Sequence, residues 1–130
     1  MEKKKTLVLG ASENPARYSY LAINRLKNNH HPVVAIGKKK GMVAGIIIET
    51  EKIPVTEIDT ITLYLSPQHQ KEYYDYIISL HPKRIIFNPG TENDELPALT
   101  AENHPVPIVA APTIPQIPVL DLLFFTYSVN

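Results

Sequence analysis

The chain contains no cysteine, so it can form neither a disulfide framework nor a thiolate metal site, and its composition fits a reducing compartment such as the cytosol. It also lacks any long hydrophobic run. The longest candidate, VLDLLFFTYSV near the C-terminus, carries Asp121 and falls well short of the ~20 residues a bilayer span needs. The start MEKKKTLVLGAS has the basic opening of a secretory leader, but its apolar stretch stops at Gly10 after Leu7 to Leu9, too short for an export signal. These absences predict a cytoplasmic protein with no membrane role. Net charge is absent as well, with 13 Lys and Arg against 13 Asp and Glu, yet it is unevenly spread. Residues 1–40 hold nine Lys and Arg against two acids, and residues 41–130 hold four against eleven, so the first third carries about +7 and the rest about −7. Such a split permits a local anion site but gives no continuous basic face, so nucleic acid is not an expected partner.

At 130 residues, with 44% hydrophobic and 20% charged residues, the chain has the size and composition of one soluble domain, taken here as residues 1–130. Short apolar runs alternate with helical patterns along it. TLVLGA, PVVAIG (Pro32 to Gly37), DTITLYL (Asp59 to Leu65), RIIFNPG and VPIVAA (Val106 to Ala111) read as buried strands, which lose the in/out alternation because both faces are covered. GMVAGIIIETEKIP reads as a glycine-punctuated loop with one short strand. Tyr18, Leu21, Ala22 and Leu26 fall on one stripe of a predicted helix. SPQHQKEYYDYIISLHP opens with Ser66 as an N-cap and Pro67 at the first helical position, and buries Tyr73, Ile77 and Leu80. TENDELPALTAENHP is a third helix, with Glu92, Asp94 and Glu95 read as acids favoured by the dipole at its start. Strands separated by helices imply right-handed crossovers. The expected fold is α/β, a Rossmann-like open parallel sheet of about five strands with helices on both faces.

In such sheets ligands bind beyond the carboxyl ends of the strands, where strand order reverses. LVLGASENPARYSY (Leu7 to Tyr20) is the first of those ends. A helix start there offers unpaired N–H groups and a positive dipole end, which suit a phosphate or pyrophosphate; Gly10 lets the backbone turn, and Ser12 and Asn14 add a hydroxyl and an amide. Any strand-to-helix connection needs a turn, so the turn alone does not specify a ligand. The dinucleotide pattern G-x-G-x-x-G is missing, with Ser12 and Pro15 where glycines would stand. The second strand ends in GKKKG (Gly37 to Gly41) where an NAD site would want an acid, which favours a nucleotide bearing a phosphate on its ribose, NADP or coenzyme A. Read for charge alone, Lys38 to Lys40 are a solvated loop.

VLGASENPARYSYLAINRL, VVAIGKKKGMVAG, IDTITLYLSP and RIIFNPGTENDE follow one another in an order that resembles the small stand-alone CoA-binding proteins, themselves similar to the N-terminal domain of the succinyl-CoA synthetase α subunit. The resemblance covers about residues 5–111. It implies that Ala11, Ser12, Glu13 and Asn14, with Gly10 at the turn, hold the CoA pyrophosphate, and that Lys38 or Lys40 meets a CoA phosphate. It further implies that Ser66 and Pro67, and Asn88, Pro89 and Gly90, flank the nucleotide. Two departures stand out. Glu13 places a carboxylate in the phosphate turn, where it must point away from the ligand, and the tail from Pro112 to Asn130 is unlike the cysteine-containing ending of such proteins.

No catalytic residue emerges. His30, His31, His81 and His104 lie in helix-ending or loop stretches and read as surface residues; His69 sits in a first helical turn beside the ligand edge without a partner that the sequence identifies. No metal-ligating spacing is present. The expectation is therefore a binding module for CoA or acyl-CoA, a small-molecule nucleotide ligand, with a homodimer as a candidate assembly. The alternatives are a small NADP-dependent or acyl-CoA-converting enzyme, and an interaction scaffold with a decayed nucleotide site whose tail makes the contact.

Overall fold

The computed structural model of the chain describes residues 3–103 and 108–110; the tail 112–130 and His104 lie outside them. Among the described residues there are seven strands: β1 Thr6–Leu9, β2 Val33–Ile36, β3 Gly41–Val43, β4 Ile46–Glu49, β5 Thr60–Leu63, β6 Arg84–Phe87 and β7 Ile108–Ala110. They form one sheet in the order β3-β4-β2-β1-β5-β6-β7. All neighbours run parallel except the edge strand β3, which is antiparallel to β4. The α/β class and the parallel core are as expected, but the sheet is wider than about five strands.

The difference lies mainly in GMVAGIIIETEKIP. This stretch is a hairpin, β3 to β4, closed by Ala44 and Gly45, both with left-handed backbones (φ 51° and 80°). A two-residue loop with both φ values positive matches the right-handed twist of the flanking strands. Alanine rarely adopts that conformation, so the loop carries half of the usual Asn-Gly signal and reads as a plain turn.

Helices cover both faces. Helix α1, Tyr18–Asn28, buries Ser19, Ala22, Ile23 and Leu26 against Val8, Ala35, Val43, Ile48 and Ile86. The expected stripe was rotated by one position: Ala22 and Leu26 face inward, whereas Tyr18 is 68% and Leu21 45% exposed. Ser19 and Ile23 take their places, because a serine is small enough to sit where helix and sheet approach closely and hydropathy does not mark it.

The other face carries α2 (Pro67–Gln70), a 3₁₀ turn (Lys71–Tyr73), α3 (Tyr74–Ser79) and, further on, α4 (Glu95–Asn103). Tyr73, Tyr74, Ile77 and Leu96 pack there on Leu7, Leu9, Ile61, Leu63, Ile85 and Phe87, with Leu80 only partly buried at the edge. Adjacent β1 residues thus feed opposite cores, Leu7 and Leu9 one and Val8 the other, as strand alternation requires. Ser66 stands at the N-cap of α2 but makes no capping bond. The start of α4 is capped by Asn93, whose Oδ1 accepts from the amides of Glu95 and Leu96, both at 2.9 Å. Of the three acids assigned to the helix start, only Glu95 lies in the first turn; Glu92 instead accepts from the Gly90 amide at 2.8 Å.

His30 and His81 are exposed, but His31 is not a surface residue: it is 3% exposed, and its Nδ1 accepts from the Lys4 amide at 2.9 Å. That bond fixes Nδ1 as an acceptor, leaving the ring proton on Nε2. Its pKa lies below the usual 6.5, first because burial disfavours the cation, then through Lys3, Lys4 and Arg84, with Asp59 opposing. A pKa lowered by folding means that the unfolded chain binds more protons, so this contribution is intact above about pH 6.5 and is lost as pH falls toward the folded value. We expect urea midpoints to drop between pH 7 and pH 5 and the drop to shrink in His31→Gln, which keeps an acceptor without titrating; an identical slope in the variant would show that His31 does not drive it.

Candidate functional site

The chain leaves β1 to one side for β2, β3 and β4, then returns to the other side of β1 for β5, β6 and β7, so strand order reverses between β1 and β5. The turns after β1, β2, β5 and β6 all project from that carboxyl edge. They enclose a cleft of about 820 Å³.

Glycines let these turns meet backbone to backbone. Gly10 has φ +99°, and a β-carbon on it would lie 2.9 Å from the Tyr64 carbonyl carbon and 3.1 Å from the Leu65 nitrogen. A β-carbon on Gly37 would lie 2.2 Å from the Ala11 carbonyl oxygen. The first turn is thereby clamped from both sides. The amides of Gly10 and Ala11 both donate to the Ile36 carbonyl, at 2.8 and 2.9 Å. Asn14 then makes a local turn: its amide donates to Ser12 Oγ and its Oδ1 accepts from the Ala16 amide, each at 3.0 Å.

This geometry refines which amides could meet an anion. Those of Gly10, Ala11 and Asn14 are engaged within the protein, which leaves Ser12 and Glu13 as the turn amides without a partner among the described residues. Helix α1 begins just beyond, with Arg17 at its N-cap, no capping side chain and no acid in its first turn. Among the described residues no side chain caps its positive end. Arg17, Lys38, Lys39 and Lys40 line the cleft around it, all exposed. Glu13 is the one acid among the lining residues, and its Oε2 accepts from the Met42 amide of β3 at 3.0 Å.

The opposite wall rests on a buried polar network. Asn88, 3% exposed, donates through Nδ2 to Thr62 Oγ1 at 2.7 Å and to the Leu63 carbonyl at 2.8 Å. Thr91 Oγ1 donates to the Asn88 carbonyl at 2.6 Å. Gln70, wholly buried, donates to the carbonyls of Leu65 at 2.8 Å and Thr91 at 2.7 Å, and its Oε1 accepts from Asn93. These bonds tie the turn after β5 to the turn after β6, and satisfied buried networks of this kind fix one geometry. Ser66 Oγ lies 2.9 Å from His69 Nδ1 at the exposed rim. Burial pushes the Tyr64 phenol up to about 12, so it is neutral throughout the physiological range.

Of the residues singled out in the sequence, Gly10, Ala11, Ser12, Glu13, Asn14, Lys38, Lys40, Ser66, Asn88, Pro89 and Gly90 line this one cleft. Pro67 does not; it occupies the first position of α2. The cleft also takes in Arg17, Tyr18, Ser19, Lys39, Tyr64, Leu65, His69 and Thr91. Lys39, Leu65 and Thr91 adjoin a residue already singled out, and the signal that finds them is position just past a strand end. Among the described residues, no group of His, Asp and Glu could hold a metal ion, and no helix is long and apolar enough to cross a membrane.

Gly37→Ala should drive a methyl group into the Ala11 carbonyl and displace the first turn. We expect a loss of several kcal/mol in urea unfolding, on the scale of severe overpacking. A loss under about 0.5 kcal/mol, the range of a surface change, would mean that the close approach is not required.

Comparison with known proteins agrees with this architecture. A crystal structure of an uncharacterized protein, 45% identical, superposes with a TM-score of 0.84 over 96% of this chain and 100% of that one. A hypothetical protein from Pyrococcus horikoshii, 26% identical, gives a TM-score of 0.73 over 83% of this chain and 76% of that one. A protein from Thermus thermophilus, 17% identical, shares the fold with a TM-score of 0.76 over 95% of this chain and 91% of that one. No curated protein matches the chain. The CoA binding domain model matches residues 4–114, the stretch that holds every turn of the cleft, and the chain belongs to that family.

Proposed function

We propose that the protein binds coenzyme A or an acyl-CoA as a non-catalytic binding module, with the pyrophosphate at the turn after β1 and the ribose 3′-phosphate on the lysine loop. The observation that carries this reading is the pairing, in one cleft, of the free Ser12 and Glu13 amides at an uncapped helix start with the cations Arg17, Lys38, Lys39 and Lys40. Family membership supports CoA as the nucleotide. The missing acid after β2 and the missing glycine pattern favour it over NAD. Asn88, Pro89, Gly90 and Ser66 would border the path of the ligand away from the phosphates. A cytoplasmic location and a homodimer as candidate assembly belong to the same reading.

One observation favours a second reading. The contact between Ser66 Oγ and His69 Nδ1, 2.9 Å apart on the rim, is the pairing an acyl-CoA-converting enzyme would use to activate a hydroxyl. Acyl-CoA turnover abolished in His69→Gln would establish it, and an equal rate in that variant would remove it.

Calorimetric titration tests the main reading. We expect saturable CoA binding, with dephospho-CoA weaker by about tenfold, the scale of one charge-assisted phosphate contact. In Lys38→Met/Lys40→Met the CoA affinity should fall to that of dephospho-CoA, whose own affinity should change little. Equal binding of CoA and dephospho-CoA by the unaltered protein would remove the role given to the lysines.

A further inference from the structure

The one carboxylate in the phosphate turn has a defined and unusual place. Glu13 reaches out of the turn to β3, where its Oε2 accepts from the Met42 amide at 3.0 Å. Its side chain lies flat on Gly41: a β-carbon built there would meet the Glu13 Cδ at 2.3 Å, Cγ at 2.4 Å and Oε1 at 2.6 Å. Gly41 has an ordinary backbone, so space for Glu13, and not a left-handed conformation, is what its missing side chain provides. β3 is the sheet edge, so half of its amides have no neighbouring strand to pair with; Glu13 takes one of them.

We infer that Glu13 is a positioning residue, a latch that ties the phosphate turn to the strand that immediately follows Lys38 to Lys40 and so fixes the lysine loop beside the turn amides. The inference rests on the proposed CoA reading for its consequence in binding. The lysine loop has two ends. One is anchored where Gly37 donates to the Glu49 carbonyl at 2.9 Å and packs on Ala11, and the other runs into β3, which pairs with β4 from Gly41 onward and is tied to the turn by Glu13 at Met42. With the edge hairpin tied to the turn, the three-lysine segment faces the anion with little left to order, whereas without that tie the ligand must draw hairpin and lysines onto the turn.

The latch and bare electrostatics make opposite demands on the same substitution. If Glu13 acted only as a negative charge beside a phosphate site, removing it would tighten anion binding. As a latch, Glu13→Ala should weaken CoA binding about tenfold, and Glu13→Asp, which keeps the charge but is one methylene too short, should weaken it similarly. Glu13→Gln keeps an acceptor for the Met42 amide and loses the repulsion, so it should bind CoA more tightly than the unaltered protein. Gly41→Ala pushes the Glu13 stem away and should reproduce Glu13→Ala, with no further loss when the two are combined.

Amide exchange in the ligand-free protein separates the latch from the functional reading. Exchange at Met42 should rise about tenfold in Glu13→Ala and return to normal in Glu13→Gln. CoA binding in Glu13→Ala as tight as or tighter than in the unaltered protein, or Met42 exchange unchanged in that variant, overturns the latch. Absence of CoA binding by the unaltered protein overturns the functional reading instead, and the exchange result then decides the latch alone.

Discussion

The architecture of the cleft depends on one constraint, the contact of backbone with backbone at the carboxyl edge of the sheet. Gly37 presses on the Ala11 carbonyl, and Gly10 presses on Tyr64 and Leu65, so three consecutive strand ends in the sheet meet without side chains between them. The double donation from Gly10 and Ala11 to the Ile36 carbonyl follows from that approach. With those two amides engaged, Ser12 and Glu13 are the turn amides left without a partner among the described residues. Local chemistry at the turn is thus set by sheet geometry more than by the identity of the polar residues in it.

The two walls of the cleft are built on different principles. On the α1 side the turn is held by main-chain contacts and its rim is cationic. On the far side, Asn88, Gln70, Thr62 and Thr91 hold the turns after β5 and β6 through buried side-chain bonds, with the half-buried Asn93 completing the set. A buried amide that lost its partner there would carry the full cost of desolvation, which is why such networks tolerate few exchanges. One wall offers charge to a ligand and the other offers shape.

Most of the fold was legible because buried parallel strands have a plain signature. TLVL, TITL and RIIF are fully buried runs, and each was read as a strand from apolarity alone. The features without a sequence signature lack one for physical reasons. The β3–β4 hairpin turns through an alanine in a conformation that alanine seldom adopts, so no turn dipeptide announces it. The inward stripe of α1 begins at a serine, while Tyr18 and Leu21, hydrophobic by type, face outward. His31 sits among polar and loop-forming residues in KNNHHP, and only the three-dimensional pairing with the Lys4 amide reveals that it is interior. The cleft was readable from strand ends and lysine placement; the course of the Glu13 side chain was not, since its partner amide lies 29 positions away.

Helix α1 starts at a residue with no capping side chain and has no acid in its first turn, so among the described residues no side chain answers its positive pole. A bound anion would complete that end. Occupancy and folding are then thermodynamically linked: whatever free energy the anion gives to the helix start adds to the stability of the whole domain in proportion to the logarithm of ligand concentration. The resistance of this protein to unfolding would accordingly track the ligand supply around it.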